Sequence, residues 1–185
     1  MKKLLTTASS WKFILPSFLA FALCLYLFQL NQAKINAITG EESPIVDLRK
    51  DYDKAEIQEF FSLLKEEGRQ IHADTTGILD MIFPLTYGSF FILLSAFFLK
   101  KIIPSESNWI YLALIPVLLM IVDYVENFNT LAMLEAFPDL DAQKVGNASR
   151  ITGIKNILTY AAQAIVLIPG LLYFIKWIRN RGKSS

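Results

Sequence analysis

Residues 77–99 read GILDMIFPLTYGSFFILLSAFFL, an almost unbroken apolar run whose one charged side chain is Asp80. A helix needs about 20 mostly apolar residues to cross the hydrocarbon layer of a membrane. A soluble core would interrupt such a run with polar residues at helical or strand period. The stretch is therefore predicted to be a transmembrane helix.

Three further runs of the same character occupy residues 11–30, 109–127 and 152–177. The apolar fraction of 54% and the charged fraction of 19% fit a membrane protein better than a soluble one. Each of the four runs contains one proline, which membrane helices tolerate because neighbouring groups satisfy the freed carbonyls. The predicted fold is all-α, a single domain over residues 1–185 with four transmembrane helices in a bundle.

The first run has an alternative interpretation as a cleaved signal peptide, because Lys2 and Lys3 precede it. The run is longer than a typical signal-peptide core, and residues 32–33 and 36–37 match a small-x-small cleavage site poorly. An uncleaved first span is the expectation.

Segments between the spans that are dominated by lysine and arginine alternate with segments in which acids outnumber them, and this pattern predicts the orientation of the chain in the membrane. The N-terminal segment, the loop after the second span and the C-terminal tail together hold nine basic residues and one acid. Residues 31–76 hold ten acids and six bases, and residues 128–151 hold three acids and two bases. Both termini are predicted to lie in the cytoplasm, with the chain in the cytoplasmic (inner) membrane. A net charge of +1 gives no basis for a nucleic-acid partner, so the lipid bilayer is the expected environment.

The first extracytoplasmic loop, residues 31–76, contains a predicted amphipathic helix at about 54–71. Ile57, Phe60, Phe61 and Leu64 form one apolar stripe at helical spacing. We expect this stripe to lie on the membrane surface or against the outer face of the bundle.

Apart from Lys12 and Lys176 at the edges, four charged residues fall within the predicted spans: Asp80, Asp123, Glu126 and Lys155. An ionisable side chain in a membrane span is a candidate functional residue because its burial is expensive. In the predicted orientation, all four lie near the extracytoplasmic ends of their helices. They are therefore expected to share one depth.

Helical spacing groups these residues further. Asp123, Glu126 and Asn127 stand at i, i+3 and i+4, while Asp80 and Tyr87 share a face of the second span. The sequence predicts a polar pocket open to the extracytoplasmic side. The predicted ligand-binding residues are Asp80, Tyr87, Asp123, Glu126, Asn127 and Lys155.

Three functions are compatible with such a pocket. Lys155 could pair with the acids only to fix the arrangement of the helices, in an accessory or structural role. Asp123, Glu126, Asp80 and Lys155 could instead be catalytic, using acid/base chemistry on a lipid-soluble substrate. The pocket could also bind a lipid-soluble ligand or serve a membrane-protein partner. Transport is disfavoured because polar residues are nearly absent from the inner halves of the spans, and four helices are few for alternating access.

Several well-known catalytic motifs do not occur in the sequence. It has no Gly-rich phosphate loop, no His-rich metal motif, no Gly-x-Ser-x-Gly and no Cys-x-x-Cys. No metal site is predicted, no cofactor is specified, and whether the chain is an enzyme stays open. His72, the single histidine, is expected to be a surface residue near the second span, with a role as proton carrier as the alternative.

One ordered set of residues carries a resemblance. Asp80-x3-Pro84-x2-Tyr87, then Asp123-x2-Glu126-Asn127, then Thr152-x2-Lys155 resembles a pattern in small bacterial four-span membrane proteins of unknown function. The resemblance covers about residues 50–180. It implies a small polytopic membrane protein and no particular substrate.

Overall fold

A computed structural model of the chain describes residues 1–40 and 51–181, which form helices joined by short turns. A π-helical turn at Thr75–Leu79 leads into the fifth α-helix, and a 3₁₀ helix at Asn108–Leu114 leads into the sixth. The α-helices are α1 (Lys2–Ala8), α2 (Trp11–Thr39), α3 (Lys54–Leu63), α4 (Lys65–Asp74), α5 (Asp80–Ile102), α6 (Ile115–Ala136) and α7 (Ala142–Arg181).

Four helical stretches are long and apolar enough to cross a membrane: Trp11–Thr39, Lys65–Ile102, Asn108–Ala136 and Ala142–Arg181. The prediction of an all-helical chain with four such stretches is confirmed. No strand occurs in the described ranges. Each stretch continues beyond the predicted span, since helix also covers most of the segments that the sequence assigns to loops.

The central helix is α5, which contacts α2, α6 and α7. Aromatic rings fill its contact with α2, where the ring of Phe21 lies 5.8 Å from those of Phe83 and Phe90. Facing α6, Gly88 lets the two backbones approach, and the Met120 side chain occupies the space that a Cβ atom would need. Large apolar side chains such as Leu167 and Ile157 are more than two-thirds exposed, as expected of groups that face lipid.

A hydrophobic cluster, here called the cap, joins α3 and α4 to one end of the long helices. Asp53 starts α3 with a capping box, in which its side chain accepts from the Glu56 amide and Glu56 reaches back to the Asp53 amide. The helix is interrupted at Lys65, whose φ is 56°. The single helix predicted over 54–71 is therefore two helices, α3 and α4. The buried members of the cap are Ile35, Tyr52, Ile57, Phe60, Phe61, Leu64, Met133, Leu140, Val145 and Ala148.

The cap explains why α6 and α7 are longer than the predicted spans. Met133 on α6 and Val145 on α7 are buried in it, so the connection between these helices shrinks to residues 137–141. Asp141 starts α7 by accepting a hydrogen bond from the Lys144 amide at 2.9 Å. That bond holds the pKa of the Asp141 carboxyl below its ordinary value.

The opposite end of the molecule carries α1 and the C-terminal turns of α5 and α7, and is here called the lysine-rich end.

Candidate functional site

An ion-paired cluster joins α6 to α7 between the cap and the middle of the helices. Lys155 Nζ lies 3.5 Å from Asp123 Oδ1 and also contacts Glu126 Oε2. The side chains are 14% exposed for Lys155, 10% for Asp123 and 1% for Glu126. Because the two acids stand three residues apart on α6, one helix face presents both to a single lysine on α7.

Hydrogen bonds extend this cluster in two directions. Towards α5, the Tyr87 hydroxyl donates to Asp123 Oδ2 at 2.9 Å. Towards the cap, the Thr152 hydroxyl donates to Glu126 Oε1 at 2.6 Å. The hydroxyls of Thr152 and Tyr52 are 3.4 Å apart, which links the cluster to the segment that precedes α3. The polar network is defined as these six residues: Tyr52, Tyr87, Asp123, Glu126, Thr152 and Lys155.

The network is enclosed rather than open. Tyr87 is 4% exposed, and Thr152 has no exposed surface. Two carboxylates and one ammonium give its ionisable core a formal charge of −1. In a low-dielectric environment such a charge attracts cations and hydrogen-bond donors more strongly than it would in water. The predicted pocket is therefore a closed polar core beneath the cap in this structure.

Asn127 connects the network to the beginning of α5. Its side-chain amide donates to the main-chain carbonyl of Asp80 at 2.8 Å. The Asp80 side chain is partly exposed at the first turn of α5, where the helix dipole favours an acid. Of the six residues predicted from sequence, four are joined by contacts in series, from Tyr87 to Asp123 to Lys155 to Glu126. Asn127 and Asp80 form an adjoining pair.

Beside this pair lie buried polar atoms that have no hydrogen-bond partner among the described residues: the hydroxyls of Thr76 and Thr130, and the side-chain oxygen of Asn127. Thr76 belongs to the turn Thr75–Leu79, which contacts α6, and Asn127 and Thr130 stand one turn apart on α6. An unsatisfied buried polar group costs about 1–3 kcal/mol. A hydrogen-bonding group from outside the described chain would satisfy them.

Thr76 belongs to the π-helical turn at Thr75–Leu79. π-Helical turns are rare and are found frequently at functional sites. This turn shifts the helical register between α4 and α5. The turn contacts both α2 and α6, and the Thr75 hydroxyl accepts a hydrogen bond from the Asn31 side chain of α2 at 2.9 Å.

The sequence prediction missed three members of this region: Tyr52, Thr76 and Thr130. Thr152 carried a signal, since it stands one turn before Lys155 on the same helix face. Tyr52 carried none, because its partner Thr152 is 100 residues further along the chain.

His72 corrects an expectation. It is 2% exposed and packs edge-on against Phe60 and Phe61, with ring centroids 6.0 and 6.4 Å away. The histidine predicted to lie on the surface is a buried part of the cap. The reason is that α4 folds back against α3, which a linear sequence pattern does not reveal.

In the described part of the chain, no three His, Cys, Asp or Glu side chains are grouped so that they could hold a metal ion. Comparison with known proteins finds no matching family model, no matching curated protein and no matching solved structure.

Proposed function

We propose that the chain is an integral protein of the cytoplasmic membrane, a four-helix bundle with both termini in the cytoplasm. The lysine-rich end then faces the cytoplasm, as the excess of positive charge on that side favours. The cap, with α3 as its amphipathic helix, lies on the extracytoplasmic side. The polar network lies directly beneath it.

The function that the geometry supports best is binding of a ligand at the polar network. The observation that carries it is a closed core with a formal charge of −1, bordered by acceptor-capable groups of Thr76, Asn127 and Thr130. A ligand with a cationic, hydrogen-bond-donating group complements both features. Its remaining surface is apolar, because the exposed faces of all four long helices are apolar and a ligand arriving through the membrane must be lipid-soluble.

Purely structural pairing explains less of the arrangement. A region that only holds helices together leaves few buried polar atoms unsatisfied. Beside the network, three such atoms lack partners among residues 1–40 and 51–181. A hydrogen-bonding ligand supplies partners for them.

Native mass spectrometry tests this function on protein extracted in a mild detergent together with its own lipids. We expect a bound small molecule on the unchanged protein and its loss from Asp123→Asn. The matched control is Asp139→Asn, the same chemical change at an exposed acid of the α6–α7 connection. A ligand that is absent from the unchanged protein, or that is lost equally from both variants, would refute the binding site. A protein partner retained in its place would indicate the accessory role.

A second candidate is a membrane-embedded enzyme that performs acid/base chemistry on a lipid-soluble substrate. One observation favours it: the Tyr87 hydroxyl, two carboxylates and the Lys155 ammonium are in direct contact, and all of them can exchange protons. An enzyme of this kind changes the lipid extract of the membranes that contain it. Lipid extracts from membranes with the unchanged protein and with Asp123→Asn should then differ in one substrate–product pair. Identical extracts would exclude catalysis on resident lipids.

A further inference from the structure

A second polar feature lies at the lysine-rich end, far from the polar network. It is a cleft of about 620 Å³ between α1, the last turn of α5 and the segment that follows it. Its polar lining is dominated by Lys2, Lys3, Lys100 and Lys101.

Lys100 fixes the wall of this cleft. Its ammonium donates to the carbonyl oxygens of Thr6, at 3.0 Å, and of Ser9, at the C-terminal end of α1. Cations stabilise the C-terminal end of a helix by pairing with carbonyls that lack an intrahelical partner. This contact holds α1 against α5 and keeps Lys2 and Lys3 beside the cleft.

The charge of the lining is strongly positive. Four lysines face one acid, Glu106, so the formal charge is +3. Among residues 1–40 and 51–181, the ammonium groups of Lys2 and Lys3 make no ion pair with a carboxylate. The Ser105 hydroxyl lies in the same lining and is engaged with Glu106 at 3.3 Å. Such a cleft is suited to an anion that accepts several hydrogen bonds.

We propose that the cleft binds the phosphate group of an anionic phospholipid. Lysine is a common phosphate ligand that acts as a point charge, and basic pockets between helix ends on the cytoplasmic side are typical sites for anionic headgroups. The depth also fits, because Trp11 and Trp109 near the cleft are 62% and 67% exposed, as tryptophans at a membrane–water interface are.

A lipid fits this position better than a free anion. Ile103 and Pro104 line the cleft beside the lysines, and Leu4, next to Lys3 in sequence, is 72% exposed, so an apolar rim adjoins the lysines. An acyl chain can cover that surface while the phosphate occupies the cleft. Inorganic phosphate shares the chemistry of the headgroup but leaves the apolar rim uncovered.

The test is native mass spectrometry of the full chain in a mild detergent. Phosphatidylglycerol is titrated against phosphatidylcholine with the same acyl chains and, separately, against inorganic phosphate. We expect selective binding of phosphatidylglycerol that Lys2→Gln/Lys3→Gln weakens by about 25-fold, because each lysine contributes about fivefold near an anionic headgroup. The control Lys12→Gln/Arg179→Gln removes the same charge from the same end at exposed sites outside the cleft, and should change the affinity by less than about twofold.

Three results would overturn the proposal. The first is that phosphatidylcholine binds as tightly as phosphatidylglycerol. The second is that the control variant loses as much affinity as the cleft variant. The third is that millimolar inorganic phosphate displaces the lipid completely, which would make a free anion the occupant. Lys2→Arg/Lys3→Arg guards against a folding defect in α1. It keeps the charge, so it should retain selective binding of phosphatidylglycerol if the cleft acts through its cations.

Discussion

Replacement of Lys155 by alanine is the sharpest test of the ion-paired core. The change removes the ammonium that contacts both Asp123 and Glu126. Glu126 is only 1% exposed, so water cannot replace the lost partner without opening the helices. Breaking a buried ion pair by removing one member destabilises a protein by about 3–5 kcal/mol. We therefore expect Lys155→Ala to lower the free energy of unfolding by about that amount.

The single cysteine provides the assay. Cys24 is buried on α2, and the chain has no other thiol. A thiol-reactive dye therefore labels the protein as it unfolds during titration of the detergent micelles with dodecyl sulfate. Lys144→Ala is the matched control, because Lys144 is an exposed lysine on the same helix. Its loss should change the free energy of unfolding by less than about 0.5 kcal/mol.

A neutral version of the core separates two explanations of this instability. In Asp123→Asn/Glu126→Gln/Lys155→Met all three formal charges are gone, and a buried ion pair replaced by neutral groups of similar size is often no less stable. We expect this triple variant to recover most of the loss. A Lys155→Ala protein that unfolds within about 1 kcal/mol of the unchanged protein would refute the reasoning, because the carboxylates would then be solvated rather than buried.

Three further predictions concern single contacts. Tyr87→Phe removes the hydroxyl that donates to Asp123 at 2.9 Å and should cost about 1.5–3 kcal/mol in the same assay; no change would mean that this bond does not form. Gly88→Ala places a Cβ atom where the Met120 side chain lies and should cost about 1–3 kcal/mol, with partial recovery in Gly88→Ala/Met120→Ala. The pKa of the Asp141 carboxyl is lower in the folded chain than in the unfolded chain. The ionised carboxyl therefore stabilises the fold at pH values above its unfolded pKa, and this stabilisation is lost as the pH falls through the folded pKa. Asp141→Ala should therefore be less stable than the unchanged protein at neutral pH, and thermal unfolding curves of the two should converge in acid.

The helical class and the four stretches long and apolar enough to cross a membrane could be predicted from the sequence, because they depend on local properties. Length, hydropathy and the interruption of apolar runs by charge are properties of contiguous residues, as residues 77–99 illustrate. The candidate residues Asp123, Glu126 and Lys155 could be identified from the sequence for the same reason. A charged residue within an apolar run is recognised without knowing which residues surround it in the fold.

The contacts of those residues depend on pairing between distant parts of the chain. Glu126 and Thr152 are 26 residues apart, Tyr87 and Asp123 are 36 apart, and Tyr52 and Thr152 are 100 apart. Which lysine meets which acid follows from the rotation of each helix about its axis, and packing against neighbouring helices sets that rotation. Hydropathy does not encode it.

The cap shows the same division. The apolar stripe of α3 could be read at helical spacing, but the burial of His72 and the break at Lys65 follow from α4 folding back onto α3. The sequence also suggested an open pocket, whereas Tyr87 and Thr152 of the polar network are buried. An apolar stripe indicates that one surface of a helix must be buried. Which element buries that surface depends on the free energies of all the competing contacts in three dimensions.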